Sequence, residues 1–239
     1  MTIQRIFGIL ISMSVYAISD WHLSINNPKP MDIFGGAWDN YVEVLTDNLN
    51  KILTDDDVLL IAGDISWAMQ LENAQPDLDF IAGFKGKKVI LRGNHDYWWK
   101  SLSAVRAAVG KNMFVIQNDS VKIGNVVIAG SRGWTEPEGN AEDEKIYKRE
   151  VLRIKMSLTD AAKKRMPEDK LIIMTHYPPF GTKKNSPITE TIKEAEATAV
   201  VYGHIHGRNY KKDLHYVIDG IPYYLTSCDL LDNVPLKIL

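Results

Sequence analysis

The chain contains seven short runs in which apolar residues follow one another with little polar alternation. Such runs are typical of β-strands that are buried on both faces. We therefore predict a buried strand in each of them. They lie at residues 14–19, 57–63, 87–93, 125–131, 170–175, 197–203 and 222–227.

Apolar residues recur with helical spacing between several of these runs. An i, i+4, i+7 rhythm predicts helices over residues 37–53 and 143–165, and the segment 100–109 also has a helical pattern. The charged stretch 136–145 is predicted to be a surface loop that enters the second of these helices. Helices that separate buried strands favour an α/β protein in which helix layers cover sheets.

Length and composition limit the classes of protein that the chain can belong to. The chain has 239 residues, 45% of them apolar and 24% charged, and no linker-like stretch divides it. We expect one globular domain over residues 1–239, large enough to enclose an active site. The net charge is −2, from 28 basic and 30 acidic residues. This balance does not favour a polyanion-binding surface, so nucleic acid is expected only as a possible substrate.

The N-terminus and the cysteine content predict the compartment. Cys228 is the one cysteine, so an intrachain disulfide is impossible and a reducing environment is indicated. The apolar stretch near the N-terminus is short and interrupted by Gly8 and two serines, which argues against a signal peptide. We predict a cytoplasmic protein that does not enter a membrane. A side hypothesis is that Met13 is the natural start and residues 1–12 are an extension.

Polar residues of metal-ligand type follow five of the predicted strands. Open α/β sheets collect functional residues at the C-terminal ends of their strands, so these side chains are expected to converge. Five of the six histidines of the chain are among them. The residues are Asp20 with His22, Asp64, Asn94 with His95, His176, and His204 with His206.

Seven of these residues form a donor set for two metal ions. If one carboxylate bridges the two ions, the seven donors fill eight coordination positions, four on each ion. A hydroxide that also bridges the ions raises the coordination number of each to five. The result is a two-metal hydrolytic site. Mixed imidazole, carboxylate and amide donors favour Mn, Fe, Zn, Co or Ni over Mg or Ca. The predicted ligands are Asp20, His22, Asp64, Asn94, His176, His204 and His206.

The charge of such a site favours an anionic substrate. Two divalent ions contribute four positive charges, Asp20 and Asp64 return two negative ones, and a hydroxide leaves a remainder of one positive charge. A phosphate group would be attracted and its developing charge stabilised.

These residues stand in blocks that resemble the calcineurin-like metallophosphoesterases. The segments "SDWHLS", "AGDIS", "RGNHDYW", "MTHYPP" and "YGHIHG" match, in order, the D-x-H, G-D, G-N-H-D, H and G-H-x-H blocks of that superfamily, between residues 19 and 207. The resemblance implies a four-layer α/β/β/α sandwich with two central mixed β-sheets. It also implies how the ligands are shared: Asp64 bridges, one metal is held by Asp20, His22 and His206, and the other by Asn94, His176 and His204.

The same resemblance implies the catalytic residues and narrows the branch of the superfamily. His95 is similar to the histidine that protonates the leaving oxygen, and Asp96 is a candidate for orienting it. The phosphoprotein phosphatases carry a G-D-x-V-D-R-G block, whereas "GDISWAMQ" here lacks the second aspartate and the arginine. The chain is closer to the small bacterial phosphoesterases. We expect hydrolysis of a small phosphorylated metabolite or nucleotide by metal-bound hydroxide, with His95 as general acid.

Other segments are candidates for substrate binding. Arg92 and Arg132 follow predicted strands and can form forked hydrogen bonds to phosphate oxygens. Two loops rich in proline, residues 26–38 and 177–187, are candidates for a lid, and the second carries Lys183 and Lys184.

Two rival functions remain open at this point. A cyclic-nucleotide phosphodiesterase or nuclease would hydrolyse a phosphodiester faster than a monoester. A non-catalytic metal-binding scaffold of the same fold is disfavoured because the chain retains every predicted metal-site histidine.

Overall fold

A computed structural model describes residues 13–26, 28–29, 31–181, 184–207 and 214–239. Residues 1–12, and with them the predicted extension, lie outside the described residues. The described helices are α1 Tyr41–Ile52, α2 Leu71–Ala82, α3 Leu102–Ala108, α4 Ala141–Lys164 and α5 Pro187–Glu194, with short 3-10 helices at Asp32–Phe34 and Gly36–Trp38. The described strands are β1 Val15–Ala17, β2 Val58–Ile61, β3 Lys87–Ile90, β4 Met113–Val115, β5 Ser120–Ile123, β6 Val126–Ser131, β7 Lys170–Thr175, β8 Ala199–Tyr202, β9 His215–Ile218, β10 Ile221–Leu225 and β11 Leu236–Lys237.

The strands form two mixed sheets. The first has the order β11-β1-β2-β3-β4, in which β11 is antiparallel to β1 and the other neighbours are parallel. The second has the order β5-β6-β7-β8-β10-β9, with antiparallel pairs at its two outer edges. Six of the seven predicted runs contain one of these strands and the seventh, 222–227, overlaps β10, so a strand is confirmed in each of them.

Alternation along the strands places apolar side chains on both faces of each sheet. In β2, Val58 and Leu60 belong to the core between the two sheets, whereas Leu59 and Ile61 belong to the core under the helices. In β7 the pattern is the same, since Ile172 faces the other sheet and Ile173 faces the helices. Burial on both faces explains why these strands are uninterrupted apolar runs.

Helices cover the outer face of each sheet. Leu45 of α1, Leu78 of α2 and Val105 of α3 pack on the first sheet. Ile154 of α4 and Ile188 of α5 pack on the second. Helix, sheet, sheet and helix therefore form the four layers of an α/β/β/α sandwich, which confirms the predicted fold class.

Helix ends are fixed by local sequence. Asn140 caps α4, because its side chain accepts hydrogen bonds from the backbone N–H groups of Glu142 and Asp143. Ser186 and Thr189 form a capping box at the start of α5, where Pro187 occupies the first turn. Within the described part of the chain, no helix has the length and apolar character that crossing a bilayer requires.

Lys88 is a fully buried lysine that closes the C-terminal end of α2. Its Nζ donates hydrogen bonds to the backbone carbonyls of Ala82, Phe84 and Gly86 at 3.2, 2.6 and 3.1 Å. Ala82 is the last residue of α2, and Phe84 and Gly86 follow it, so the ammonium group lies where the helix dipole favours a cation. Lys88 therefore joins α2 to the first sheet.

We expect Lys88→Met to lower the free energy of unfolding by about 2–4 kcal/mol, because it leaves buried carbonyl groups without donors. Urea denaturation measures this loss. Lys87→Met is the matched control, since Lys87 is the preceding residue of β3 and is only half-buried. Equal losses in the two variants would contradict the role of the Lys88 ammonium group.

Candidate metal centre

The predicted ligands come together where strands of both sheets end. Asp20 and His22 follow β1, Asp64 follows β2 and Asn94 follows β3, all in the first sheet. His176 follows β7, and His204 and His206 follow β8, in the second sheet. Parallel neighbours β1, β2 and β3 point the same way, as do β7 and β8, so their C-terminal ends share an edge.

One group of possible ligands contains Asp20, His22 and His206, whose ligand atoms lie within 4.8 Å of one another. His206 Nε2 is 3.4 Å from His22 Nε2 and 3.7 Å from Asp20 Oδ1. Asp20 and His22 are almost completely buried. These are the three residues that the resemblance assigned to one metal.

A second group gathers around Asn94. The Oδ1 atom of Asn94 is 2.5 Å from His176 Nε2 and 2.8 Å from His204 Nδ1. Asp64 lies between the two groups, because its Oδ2 is 3.8 Å from His22 Nε2 and 3.5 Å from His176 Nε2. Asp20, Asp64 and His176 also form a compact set of possible ligands.

Several predicted ligands occupy the left-handed backbone region, which residues with a side chain rarely adopt. The φ angles are +60° at Asp20, +47° at His22, +50° at Asp64 and +74° at His204. Backbone strain of this kind collects at functional sites, where the surrounding fold maintains it. Strand ends that turn abruptly thus aim these side chains at one point.

Two glycines allow the strand ends to approach the carboxylates. A Cβ atom on Gly93 would collide with the Asp64 carboxylate, and one on Gly203 would collide with the Asp20 carboxylate. The backbone N–H of His95 donates to Asp64 Oδ1 at 2.8 Å, and that of His204 donates to Asp20 Oδ1 at 3.0 Å. The site therefore requires glycine at positions 93 and 203, because a larger residue would collide with a carboxylate.

Burial makes the cluster suited to divalent cations. It raises the pKa of Asp20 to about 7 and that of Asp64 to about 9. It also lowers the pKa of His176 well below its usual value and that of His204 to about 4. Buried carboxylates need positive charge nearby, and neutral imidazoles are the form that binds metals. The buried Nδ1 of His22 also has no hydrogen-bond partner among the described residues. The donor set therefore fits divalent metal ions.

Ring orientations are fixed by bonds on the far side of the imidazoles. His176 Nδ1 lies 3.0 Å from the carbonyl oxygen of Ala62, which leaves Nε2 facing the cluster. His206 Nδ1 lies 2.8 Å from Asp229 Oδ1, and its Nε2 faces His22. Carboxylate or carbonyl partners of this kind set the tautomer and orientation of metal-binding histidines.

Sequence reasoning did not find Asp229, which is buried and follows β10. Its Oδ2 also accepts the backbone N–H of Gly207 at 3.0 Å, so it holds the end of the "GHIHG" segment. Burial would lower the pKa of His206, but the hydrogen bond that its Nδ1–H donates to Asp229 and the charge of Asp20 raise the pKa above its usual value. Asp229 is therefore a positioning residue for His206.

We expect Asp229→Asn to weaken metal binding by roughly 10- to 100-fold, the usual effect of removing such a partner. Competition with a chromogenic chelator measures this affinity. Asp55→Asn is the control. Asp55 is exposed and lies between α1 and β2, at the opposite end of β2 from Asp64. An unchanged affinity in Asp229→Asn would contradict the positioning role.

His95 lies beside the ligands and faces aromatic rings. Its ring centroid is 4.8 Å from that of Trp67 and 5.6 Å from that of His22. Its Nδ1 is buried and has no hydrogen-bond partner among the described residues. Burial lowers the pKa of His95, and the charge of Lys29 lowers it further.

The structure does not bring Asp96 to His95 as the sequence suggested. Asp96 is fully buried, and its Oδ1 accepts hydrogen bonds from the backbone N–H of Ile65 and from Trp98 Nε1, while Oδ2 accepts the N–H of Gly93. Neighbouring side chains diverge here, so Asp96 fastens the loop after β3 to the loop after β2. It positions the segment that carries Asn94, and not the His95 ring.

Arg92 follows β3, two residues before Asn94, and Arg132 follows β6, the neighbour of β7 in the second sheet. They line a common cavity, and the Arg132 guanidinium lies 4.9 Å from the ring centroid of Trp134. Burial, and then the charge of Arg132, lowers the pKa of Arg92. The backbone carbonyl of Arg132 accepts hydrogen bonds from the N–H groups of His176 and Tyr177, which connects this cavity to the ligand loops.

The two loops that were candidates for a lid flank the cluster on opposite sides. The first loop places Trp38 against the rings of His22 and His206, and Lys29 Nζ lies 3.4 Å from the ring centroid of Trp67. The second places Tyr177 4.2 Å from His204, whereas Lys184 lies over Tyr216. Lys183 lies outside the described residues.

The fold and this cluster define an α/β/β/α protein with a candidate metal centre at its strand ends. Solved structures with a similar fold include the protein of unknown function AQ665 from Aquifex aeolicus, with a TM-score of 0.52 at 17% identity, covering 95% of this chain and 96% of that one. Phosphopantetheinyl hydrolase (PptH) from Mycobacterium tuberculosis has a TM-score of 0.54 at 15% identity, covering 95% of each chain. No curated protein sequence matches the chain.

The sequence itself identifies the family. Residues 13–208 match the model of the calcineurin-like phosphoesterases. The chain belongs to this family, and it is a metal-dependent phosphoesterase, a hydrolase that acts on phosphorylated substrates.

Proposed function

We propose that the protein hydrolyses a phosphate ester at a dinuclear centre of divalent transition-metal ions. The observation that carries this proposal is the position of Asp64, whose Oδ2 lies within 4 Å of one histidine from each ligand group. When bound, two such ions supply Lewis acidity and a water of lowered pKa. The contribution of the chain is to place the two ligand groups on either side of the Asp64 carboxylate, which they share.

His95 is proposed as the general acid. Its ring lies 5.6 Å from that of His22, beside the candidate ligands. An imidazole that donates a proton to the leaving oxygen lowers the barrier to P–O cleavage. Trp67 packs against the ring and restricts its orientation.

The proposed substrate is a small phosphorylated metabolite or nucleotide. An apolar depression beside His206, lined by Met31, Phe34 and Trp38, suits an uncharged part of the leaving group. The structural neighbour PptH is a phosphopantetheinyl hydrolase by name, which supports including phosphopantetheine-type esters among the compounds tested. A cyclic-nucleotide phosphodiesterase or nuclease is the second candidate function.

A screen of phosphorylated compounds with metal-reconstituted protein tests the proposal. The set contains p-nitrophenyl phosphate, bis-p-nitrophenyl phosphate, nucleotides and 4′-phosphopantetheine, each with Mn, Fe, Zn, Co or Ni. Faster turnover of the monoester supports the phosphomonoesterase, and faster turnover of the diester favours the second candidate. Absence of hydrolysis with every metal would refute the proposed function.

A further inference from the structure

Four arginines line a cavity of about 240 Å³. Arg92 follows β3 and Arg132 follows β6, whereas Arg149 and Arg153 lie on α4. The cavity is therefore built by three separate elements of the fold. Its remaining lining residues are Leu91, Gln117, Asn118 and Glu150.

The positive charge of this cavity is largely uncompensated. Glu150 is the one carboxylate in its lining, and it is committed to Arg153 Nη1 at 2.5 Å and to the hydroxyl of Ser131 at 2.6 Å. Four guanidinium groups and one carboxylate leave a formal charge of +3. Among the described residues, no carboxylate forms an ion pair with the other three arginines.

An unpaired donor points to a missing acceptor. The buried Nε of Arg92 has no hydrogen-bond partner in the described part of the chain. Gathering four guanidinium groups around a single carboxylate costs free energy unless an anion binds. Guanidinium forks match the oxygens of a phosphate group, and the amides of Gln117 and Asn118 add uncharged donors to the same cavity.

The cavity is connected to the metal centre through the backbone. Arg92 is two residues before Asn94, and the carbonyl of Arg132 holds the N–H groups of His176 and Tyr177. By contrast, the depression beside His204 is lined by Glu136 and Glu138, which would repel an anion. An anionic group is therefore more favourable in the four-arginine cavity than in the depression beside His204.

We propose that the four-arginine cavity binds a phosphate-type oxyanion, either a second phosphate group of the substrate or free inorganic phosphate or pyrophosphate. The first source rests on the proposed function, because the other phosphate would lie at the metal centre. The second does not depend on hydrolysis.

Arg149→Ala tests the proposal, because Arg149 is exposed and its removal leaves the buried Glu150 and Arg153 paired. Lys155→Ala is the matched control, since it removes an exposed positive charge from the same helix outside the cavity lining. Arg132→Gln is the second variant. Calorimetric titration of the metal-loaded chain with pyrophosphate is expected to show affinity roughly three- to tenfold weaker in Arg149→Ala and Arg132→Gln, with no change in Lys155→Ala.

Kinetics distinguish the two sources. If the substrate carries the second phosphate, Arg149→Ala raises the KM of ADP or adenosine 3′,5′-bisphosphate by roughly three- to tenfold and leaves the KM of p-nitrophenyl phosphate unchanged. If the cavity binds free anion, pyrophosphate affinity falls while every KM stays the same. Unchanged pyrophosphate affinity and unchanged KM in both arginine variants would overturn the proposal. If no substrate is hydrolysed, the proposed function is refuted. The pyrophosphate titration still decides whether the cavity binds an anion.

Discussion

Asp64→Asn is expected to lose one equivalent of bound metal and to reduce kcat/KM by at least roughly 10³-fold. The substitution removes the charge that both ligand groups share, and a lost metal ion withdraws several kcal/mol of transition-state stabilisation, each 1.36 kcal/mol being a factor of ten in rate. The amide oxygen of asparagine can still accept the backbone N–H of His95, so the loop after β3 should keep its conformation. Elemental analysis of the purified variant gives the metal stoichiometry.

Asp219→Asn is a matched control for this experiment. Asp219 is exposed, and its φ of +51° is nearly the same as the +50° of Asp64, so the same chemical change is made in the same backbone conformation. We expect this control to keep full activity and both metals. Retention of two metals by Asp64→Asn would exclude a bridging role for that carboxylate.

His95→Gln is expected to keep both metals and to lose roughly 10²- to 10⁴-fold in kcat, which is the usual contribution of general acid catalysis. Glutamine can fill part of the space beside Trp67 but cannot donate a proton at neutral pH. The loss should be largest for esters with poor leaving groups, because p-nitrophenolate needs little protonation. Comparing p-nitrophenyl phosphate with an alkyl phosphate measures this difference.

His215→Gln controls for the loss of any histidine. His215 is the sixth histidine of the chain, and it is exposed on β9, where its ring stacks on Tyr224 at 4.9 Å. This variant should retain wild-type rates with both esters. If His95→Gln loses metal, His95 contributes to the ligand set and the assignment as general acid is wrong.

Burial explains which strands could be predicted from sequence. β2 is buried along its whole length, so its sequence is an apolar run. β9 and β11 are outer strands with exposed positions, and their sequences lack this signal. Two helices were likewise not predicted: α2, which contains Pro76, and α5, which begins at Pro187 inside the loop expected at 177–187. Tertiary packing, and not local pattern, decides these elements.

The convergence of these candidate ligands could be predicted because strand ends and family blocks coincide. Asp20, His22 and His206 come together as expected. The partner of His206 could not be found in this way, because Asp229 is 23 residues further along the chain and belongs to no metal-ligand block. The role proposed for the arginines of α4 was also not predicted, because the sequence of a charged helix does not indicate which charged side chains line a cavity. Contacts between distant segments are set by the fold and are not visible in local spacing.

The left-handed ligand positions have a consequence for how inactive variants would behave in a cell. Each such residue costs about 1–3 kcal/mol of strain, and glycine or asparagine at Asp20, Asp64 or His204 would relieve part of it. Protein turnover responds to stability rather than to catalysis. Degradation machinery would therefore not distinguish many inactive copies from active ones. Such alleles would persist at normal abundance.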